Sequence, residues 1–396
     1  MNAPPRSIFP TDTASIHARI DAIDPRAYRA TRNHIDGAVT RLSPYFTHGV
    51  IDPRDVAETV VARHGAAACE KLIYEFAWRD YHHHVWWERG DEIVRDLRRP
   101  QAGVEGRGVP VSVLNAQTGM AAIDDQIRAL LDGGYVHNHA RMWIAALVST
   151  RARAPWREAA DWMHHHLLDG DLASNHLSWQ WVAGTSRGKR YVADQRNLDR
   201  FGTHPPQAGS GTALDLPYEA LEWSPVPPEL RERAGVELLQ MTLPQQTLCG
   251  PVREGERVVL HHPYTLGRDW RARGDDEQGP AARRILVYEP SLFAAWPLAP
   301  QRMRLIEELA AEITGLEIFV GEVAELPGLD DARSVHARAH AYTRTWPAEL
   351  DPPLRLIPRA EGRELESFSA WFRLARRHLE RDGLMVRPAS KQGQLF

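Results

Sequence analysis

Cysteine is almost missing: Cys69 and Cys249 are the only two in 396 residues. That excludes a disulfide framework, a four-cysteine zinc site and a protein-held iron–sulfur cluster. Such sparing use fits a reducing compartment, and the expected location is the cytoplasm. Long apolar runs are missing too. No stretch approaches the roughly 20 apolar residues of a membrane helix, and MNAPPRSIFPTD lacks a basic-then-apolar signal pattern. The chain is therefore expected to be soluble. Neither sign of charge dominates, since 48 Lys and Arg stand against 52 Asp and Glu and leave a formal charge of -4. A nucleic-acid surface would have to be a local patch. What is present is ample: 43% hydrophobic and 25% charged residues over this length support a large core and two domains.

From about Ser15 to Trp181 apolar residues recur at three- and four-residue spacing, in IDPRDVAETVVARHG, KLIYEFAWRDYHHHVWW and DDQIRALLDGGYVHNHARMWIAALV. This predicts helices. Gly and Pro thicken in FGTHPPQAGSGTALDLP and EWSPVPPEL, which places a boundary near residue 227. Beyond it ERVVLHHPYTL, RILVYEP, LEIFVGEV and LRLIPR read as short buried strands, and QRMRLIEELAAEI and ELESFSAWFRLARRHLE as helices. Alternation of this kind predicts a small α/β domain with a mainly parallel sheet. The expected organisation is an all-helical unit over residues 1–226, a Rossmann-like α/β unit over 227–383 and a flexible tail over 384–396.

Three groups of side chains in the helical half could carry chemistry. Glu75, Trp78 and Arg79 share a helix face at i, i+3 and i+4, and Asn138, Arg141 and Met142 repeat that spacing. Each also reads as ordinary core packing with a solvated ion pair. The third group is Asp171, Asn175 and Trp179 at i, i+4 and i+8, with Asp169 before it and Trp181 after it. Two carboxylates, an amide and two indoles are a costly way to fill a core, and Arg141 is a candidate partner for one carboxylate. The runs His82–His84 and His164–His166 do not give a metal-ligand pattern, because adjacent helical residues point to different faces and HExxH is lacking. No metal is expected.

In order along the chain, YRATRN, VTRLSPYFTHGVI, EFAWRDYHHH, TGMAAIDDQIRALLDGGYVHNHARM and PWREAADWMHHHLLDGDLASNHLSWQWVAGT resemble the FAD-binding domain of the cryptochrome/photolyase family. They cover nearly all of residues 28–185. The resemblance implies FAD, with Tyr28, Thr40, Arg41, Leu42 and Ser43 beside its diphosphate, where hydroxyls and backbone N–H groups at a helix start suit an anion. It implies an Arg141–Asp169 ion pair beside the isoalloxazine, Asp171 as a nearby contact and Asn175 facing flavin N5. Arg79 is counted with the cofactor-binding residues and would serve the pocket or backbone. Glu75, Trp78, Asn138, Met142 and Trp181 match the family's lesion pocket, with the two indoles stacking on a flipped pyrimidine dimer and Glu75 and Asn138 bonding its base edges. HNHARM is similar to the enzymes acting on cyclobutane dimers. The implied activity is light-driven repair of dimer-containing DNA, in which excited reduced FAD lends the dimer an electron and recovers it. The alternatives are a cryptochrome-type blue-light receptor and a flavoprotein of this fold without repair activity.

The sequence departs from the family in four places. Trp179 and Trp156 match the first two tryptophans of its electron-transfer chain, but RPQAGVEGRGVPVSVLNAQ offers no third, so electrons would have to leave through another ring such as Trp86, Trp87 or Trp143. After WVAGT the usual closing segment is replaced by SRGKRYVADQRNLDRFG, whose cations Arg187, Lys189, Arg190, Arg196 and Arg200 read either as phosphate contacts or as a solvated face. The α/β half looks like the family's antenna domain moved behind the flavin domain, and no G-x-G-x-x-G marks a second chromophore. Finally, Gln392, Leu395 and Phe396 resemble the Q-x-x-L-F peptide that docks on the bacterial sliding clamp, or else form an apolar end to a tail.

Overall fold

The computed structural model describes residues 8–205, 211–243, 249–271, 282–357 and 367–387. The helices that build the site are α1 (Pro25–Thr31), α2 (Ser43–Thr47), α3 (Ala66–Arg89), α4 (Ala121–Gly133), α5 (Asn138–Ala146), α6 (Trp156–His166) and α7 (Leu172–Ala183). Local chemistry sets their starts. Asp24 caps α1 by accepting from the N–H groups of Arg26 and Ala27, with Pro25 in the first turn, and Asp171 caps α7 by accepting from the Ser174 N–H at 2.7 Å. Gly134 ends α4 at φ 67°, and a Cβ there would stand 2.8 Å from Leu168 Cγ. Only glycine fits that turn, which divides the expected DDQIRALLDGGYVHNHARMWIAALV helix in two.

Two short strands, β1 (Val109–Pro110) and β2 (Arg233–Ala234), pair antiparallel. This pairing, with Leu230 inside the helical core, carries the helical unit past the boundary expected at 227. The second unit is a five-stranded parallel sheet of β3 (Arg257–His261), β4 (Arg283–Tyr288), β5 (Leu316–Val320), β6 (Ser334–Arg338) and β7 (Glu349–Asp351). Its order is β5-β4-β3-β6-β7, the doubly wound arrangement that reverses direction at β3. LRLIPR is not a strand over its described residues. Leu356 and Ile357 insert into the core, and the Ile357 N–H donates to Asp80 Oδ2 at 2.9 Å, so a helix side chain takes the place of a ladder partner.

Two helices from the second half, α8 (Pro300–Ala311) and α9 (Phe368–Arg381), fasten the halves together. One core cluster combines Leu72 and Ile73 of α3 with Leu286 of β4, Ile306 and Leu309 of α8, and Trp371 and Leu379 of α9. A second lies among α4 to α7, and a third lies beneath the sheet. No described helix is long and apolar enough to cross a membrane.

Candidate functional site

A cavity of about 1180 Å³ opens among α1, α3, α5 and α7. Of the residues expected in a site, it is lined by Tyr28, Thr40, Arg41 and Ser43 at one end, by Arg141, Asp169, Asp171 and Asn175, and by Glu75, Trp78, Arg79, Asn138, Met142, Trp179 and Trp181. Leu42 and Trp156 are outside the lining. Leu42 turns its side chain into the first core, and Trp156 sits behind the wall at 3% exposure.

The polar wall is held from behind. Arg141 Nη2 reaches both oxygens of buried Asp169, at 2.9 and 2.8 Å, while its Nε donates to the Val136 carbonyl. The expected ion pair is thus present, its guanidinium fixed by two elements. Asn175 commits Nδ2 to the Ala160 carbonyl at 2.8 Å, which leaves Oδ1 as the acceptor it can offer the cavity. Asp171 Oδ1 is used as the α7 cap, and Oδ2 lies 2.8 Å from His83 Nε2. Burial acts to raise the Asp171 pKa, but His83, Arg79 and the Ser174 N–H together outweigh it and hold the carboxyl well below its usual range.

His340, from the loop after β6, joins His83 and Asp171 with ligand atoms within 4.8 Å of one another. Neither histidine run shows such a trio by spacing, because its third member is 169 positions further on than Asp171. His83 Nε2 and Asp171 Oδ2, 2.8 Å apart, make a buried imidazole–carboxylate pair within this trio. The Tyr342 N–H donates to His340 Nδ1 at 3.3 Å, which puts the proton of the neutral ring on Nε2.

At the other end of the cavity Arg41 adopts φ 51° and the Leu42 N–H turns to Thr40 Oγ1 at 3.4 Å, which brings Thr40, Arg41 and Ser43 to one rim. Burial, with Glu75 adding to it, raises the Tyr28 pKa, so its phenol stays protonated. Arg79 donates to the Phe46 carbonyl at 3.0 Å rather than pairing with Glu75.

The apolar wall differs most from expectation. Glu75 is paired with Lys71 at 2.6 Å and Arg32 at 3.2 Å, so its carboxylate is partly used before any base arrives. Trp78 is stacked on Phe368 of α9, with ring centroids 3.6 Å apart and planes 8° from parallel. One of its faces is therefore already covered. No sequence signal marks Phe368, an apolar residue like any other on an amphipathic helix. Trp181 is covered differently, by the Arg187 guanidinium 3.7 Å from its ring centre. Three other rim cations are engaged within the chain, Arg190 with Glu222, Arg196 with Asp194 and Arg200 over Phe201, while Lys189 contributes only its carbonyl, which accepts from Arg187 Nε. The candidate clamp peptide, Gln392, Leu395 and Phe396, lies outside the described residues.

A family model described as the FAD binding domain of DNA photolyase matches residues 72–202. Over those residues the helical unit is similar to the FAD-binding domain of DNA photolyase. The deoxyribodipyrimidine photo-lyase of Thermus thermophilus is 34% identical over 222 residues, 51% of this chain and 52% of that protein. The photo-lyase of Streptomyces griseus is 33% identical over 154 residues, 39% of this chain and 34% of that one. Cryptochrome DASH of Ostreococcus tauri is 31% identical over 172 residues, 41% and 31% of the two chains. The chain thus spans about half, or less, of the length of these relatives. A solved Synechocystis cryptochrome matches 55% of this chain and 49% of that one, at 22% identity and a TM-score of 0.44.

The photolyase-type cofactor is FAD, and the residues present fit it. A fixed guanidinium–carboxylate pair, an amide whose carbonyl faces inward, and a hydroxyl-rich rim line a space large enough for a dinucleotide. Arg141, Asp169, Asp171 and Asn175 are the residues that would hold its ring system, and Tyr28, Thr40, Arg41 and Ser43 its diphosphate.

Proposed function

We propose that this chain is a light-driven, FAD-dependent DNA-repair enzyme that splits cyclobutane pyrimidine dimers. The observation carrying this reading is that one cavity is lined both by Arg141, Asp169 and Asn175 and by Trp78, Trp181, Asn138 and Met142. A base flipped out of DNA needs flat rings to lie against and polar groups at its edge. When bound and reduced, FAD supplies the photoexcited electron that opens the cyclobutane ring and takes it back. The protein's part is placement. Trp181 and the uncovered face of Trp78 offer stacking surfaces, Asn138 offers an amide to a base edge, and Met142 fills the space beside it with a soft apolar group. DNA is the implied partner, and the name deoxyribodipyrimidine photo-lyase borne by several relatives supports that substrate.

The second reading is a blue-light receptor, favoured by a specific contact: Phe368 occupies one face of Trp78, where a repair enzyme benefits from an open slot. One experiment separates the two. Protein with chemically reduced flavin is mixed with an oligonucleotide carrying a single cyclobutane dimer, and dimer loss is followed under blue light against a dark control. Light-dependent loss is expected. Intact dimer with fully reduced flavin bound rejects repair and leaves the receptor. In the same assay Trp78→Ala/Trp181→Ala should keep its flavin and bind dimer DNA more weakly by about 1–3 kcal/mol per lost stacking contact.

A further inference from the structure

The helical unit holds a buried tryptophan pair. Trp179 lines the cavity at 2% exposure, and Trp156 lies in the same core cluster at 3% exposure. Neither ring can meet a reductant in water. Of the expected exits, Trp143 and Trp86 make no described ring contact with the pair. Trp143 is fully buried, its Nε1 donating to Asn197, and the ring neighbours of Trp86 are His83, His340 and Tyr342.

The second half of the chain does reach the pair. His176 shares the inner face of α7 with Trp179, three residues on. Its ring lies 6.0 Å from that of Trp156 and 5.6 Å from that of Trp296, edge-on to both. Trp296 stands between β4 and α8 and is half-buried, whereas Trp156 and Trp179 are buried. It is held firmly: His165 Nδ1 donates to the Pro297 carbonyl at 2.8 Å, and the Ala299 N–H donates to the His165 carbonyl at 3.0 Å. The Arg157 guanidinium lies 5.3 Å from the ring centre of Trp296.

We infer that Trp296, supplied by the C-terminal unit, is the outer end of the electron path into the flavin cavity, taking the place of the tryptophan the helical unit lacks. The inference rests on the proposed function in taking the cofactor to be light-active, and on the family resemblance in taking Trp179 and Trp156 as its first electron donors. Electron transfer falls steeply with distance, so ring-to-ring steps outrun one long jump. The oxidised flavin under blue light is the oxidant. One electron passes from Trp179 to the cavity, Trp156 refills Trp179, and Trp296 refills Trp156 past the edge of His176. Trp296 is left one electron short. The nearby Arg157 cation disfavours a positive charge there, so the indole N–H gives its proton to water and leaves a neutral radical. A thiol in solution then returns the electron, and the net result is one electron delivered from thiol to flavin. A rival end exists at Trp156 itself, whose Nε1 donates to Asp96 Oδ1 at 2.7 Å and could lose its proton there.

The test uses the full-length protein with oxidised FAD bound, blue light and dithiothreitol. Flavin reduction is followed by absorbance, and the tryptophan radical by transient absorption. Trp296→Phe should reduce its flavin several-fold more slowly and lose the long-lived neutral radical, while Trp296→Tyr, which keeps an oxidisable ring, should recover most of both. Wild-type rate and radical yield in Trp296→Phe, with loss of both in Trp156→Phe, would overturn the inference and place the end at Trp156 and Asp96. Normal reduction in both variants would reject the whole route. Dimer cleavage by chemically reduced Trp296→Phe should match wild type. If chemically reduced wild type cleaves nothing, repair fails while the radical measurement still decides the path.

Discussion

Arg141 is the residue on which the polar wall depends most, because Asp169 is buried and both its oxygens are bound to one guanidinium nitrogen. Arg141→Met keeps the packing but strands a buried carboxylate, which typically costs about 3–5 kcal/mol. The expected outcome is a lower melting temperature together with loss of flavin on gel filtration, read by absorbance. Retained flavin at wild-type stability would show that Asp169 finds another partner. Phe368 poses the opposite question, since its ring occupies a face of Trp78 while packing against Tyr74 and Phe372. Phe368→Ala should destabilise the protein by about 3 kcal/mol. Phe368→Leu keeps most of the volume and removes the flat ring. We expect it to bind dimer-containing DNA more tightly than wild type, measured by fluorescence titration; equal affinity would mean that the covered face of Trp78 is never used.

Among the elements, the turn between α6 and α7 carries both the cavity-lining carboxylates Asp169 and Asp171 and the junction with the second half. Arg302 of α8 is fully buried and donates to the His164 carbonyl at 3.0 Å, to Tyr264 Oη at 2.8 Å and to the Gly170 carbonyl. A Cβ on Gly170 would collide with that guanidinium and stand 2.6 Å from the His164 carbonyl oxygen. Gly170→Ala should therefore displace Arg302 and lower both stability and flavin content, whereas Gly133→Ala, on the last turn of α4 with nothing within 4 Å, should change neither. Equal melting temperatures for the two variants would contradict this. The periodicity of Asp171, Asn175 and Trp179 made this turn and the face of α7 legible in the sequence, because helical spacing fixes which side chains line up. The misreading of LRLIPR has the same root: alternating apolar residues suit a strand equally well as a loop pressed into a core, and only the Asp80 carboxylate, 277 positions earlier, decides between them.

At the scale of the whole molecule, the helices and the parallel sheet were legible in the sequence but the surface that joins them was not. Helical and strand periods are local, whereas the surface that joins the halves is assembled from residues scattered along the chain. At the carboxyl ends of β3 and β6, where a doubly wound sheet leaves its ligand crevice, the rings of His262, Tyr264, His340 and Tyr342 fill the space. They pack on His48 and Trp86 of the helical half. Burial pushes the pKa of His48 down to about 4 and those of His261 and His262 to about 3, and holds His164 and His340 well below the ordinary value. The linkage has a definite sign. These rings stay neutral in the fold, while the unfolded chain takes up protons near pH 6.5, so stability is complete above that pH and drains away as pH falls toward 4 and 3. Each histidine contributes a slope of up to about 1.4 kcal/mol per pH unit. Asp80 opposes them, because burial raises its pKa to about 7 and it costs stability as pH rises from about 4 to 7. One carboxyl cannot offset five imidazoles below pH 6, so the urea midpoint should be nearly flat between pH 8 and 7 and fall steeply between 6 and 4. Asp80→Asn should steepen that fall by removing the opposing group, and His262→Gln should soften it. A midpoint that holds level from pH 7 to pH 4.5 would mean that these rings are hydrated in solution and that the two halves meet less tightly than their packing indicates.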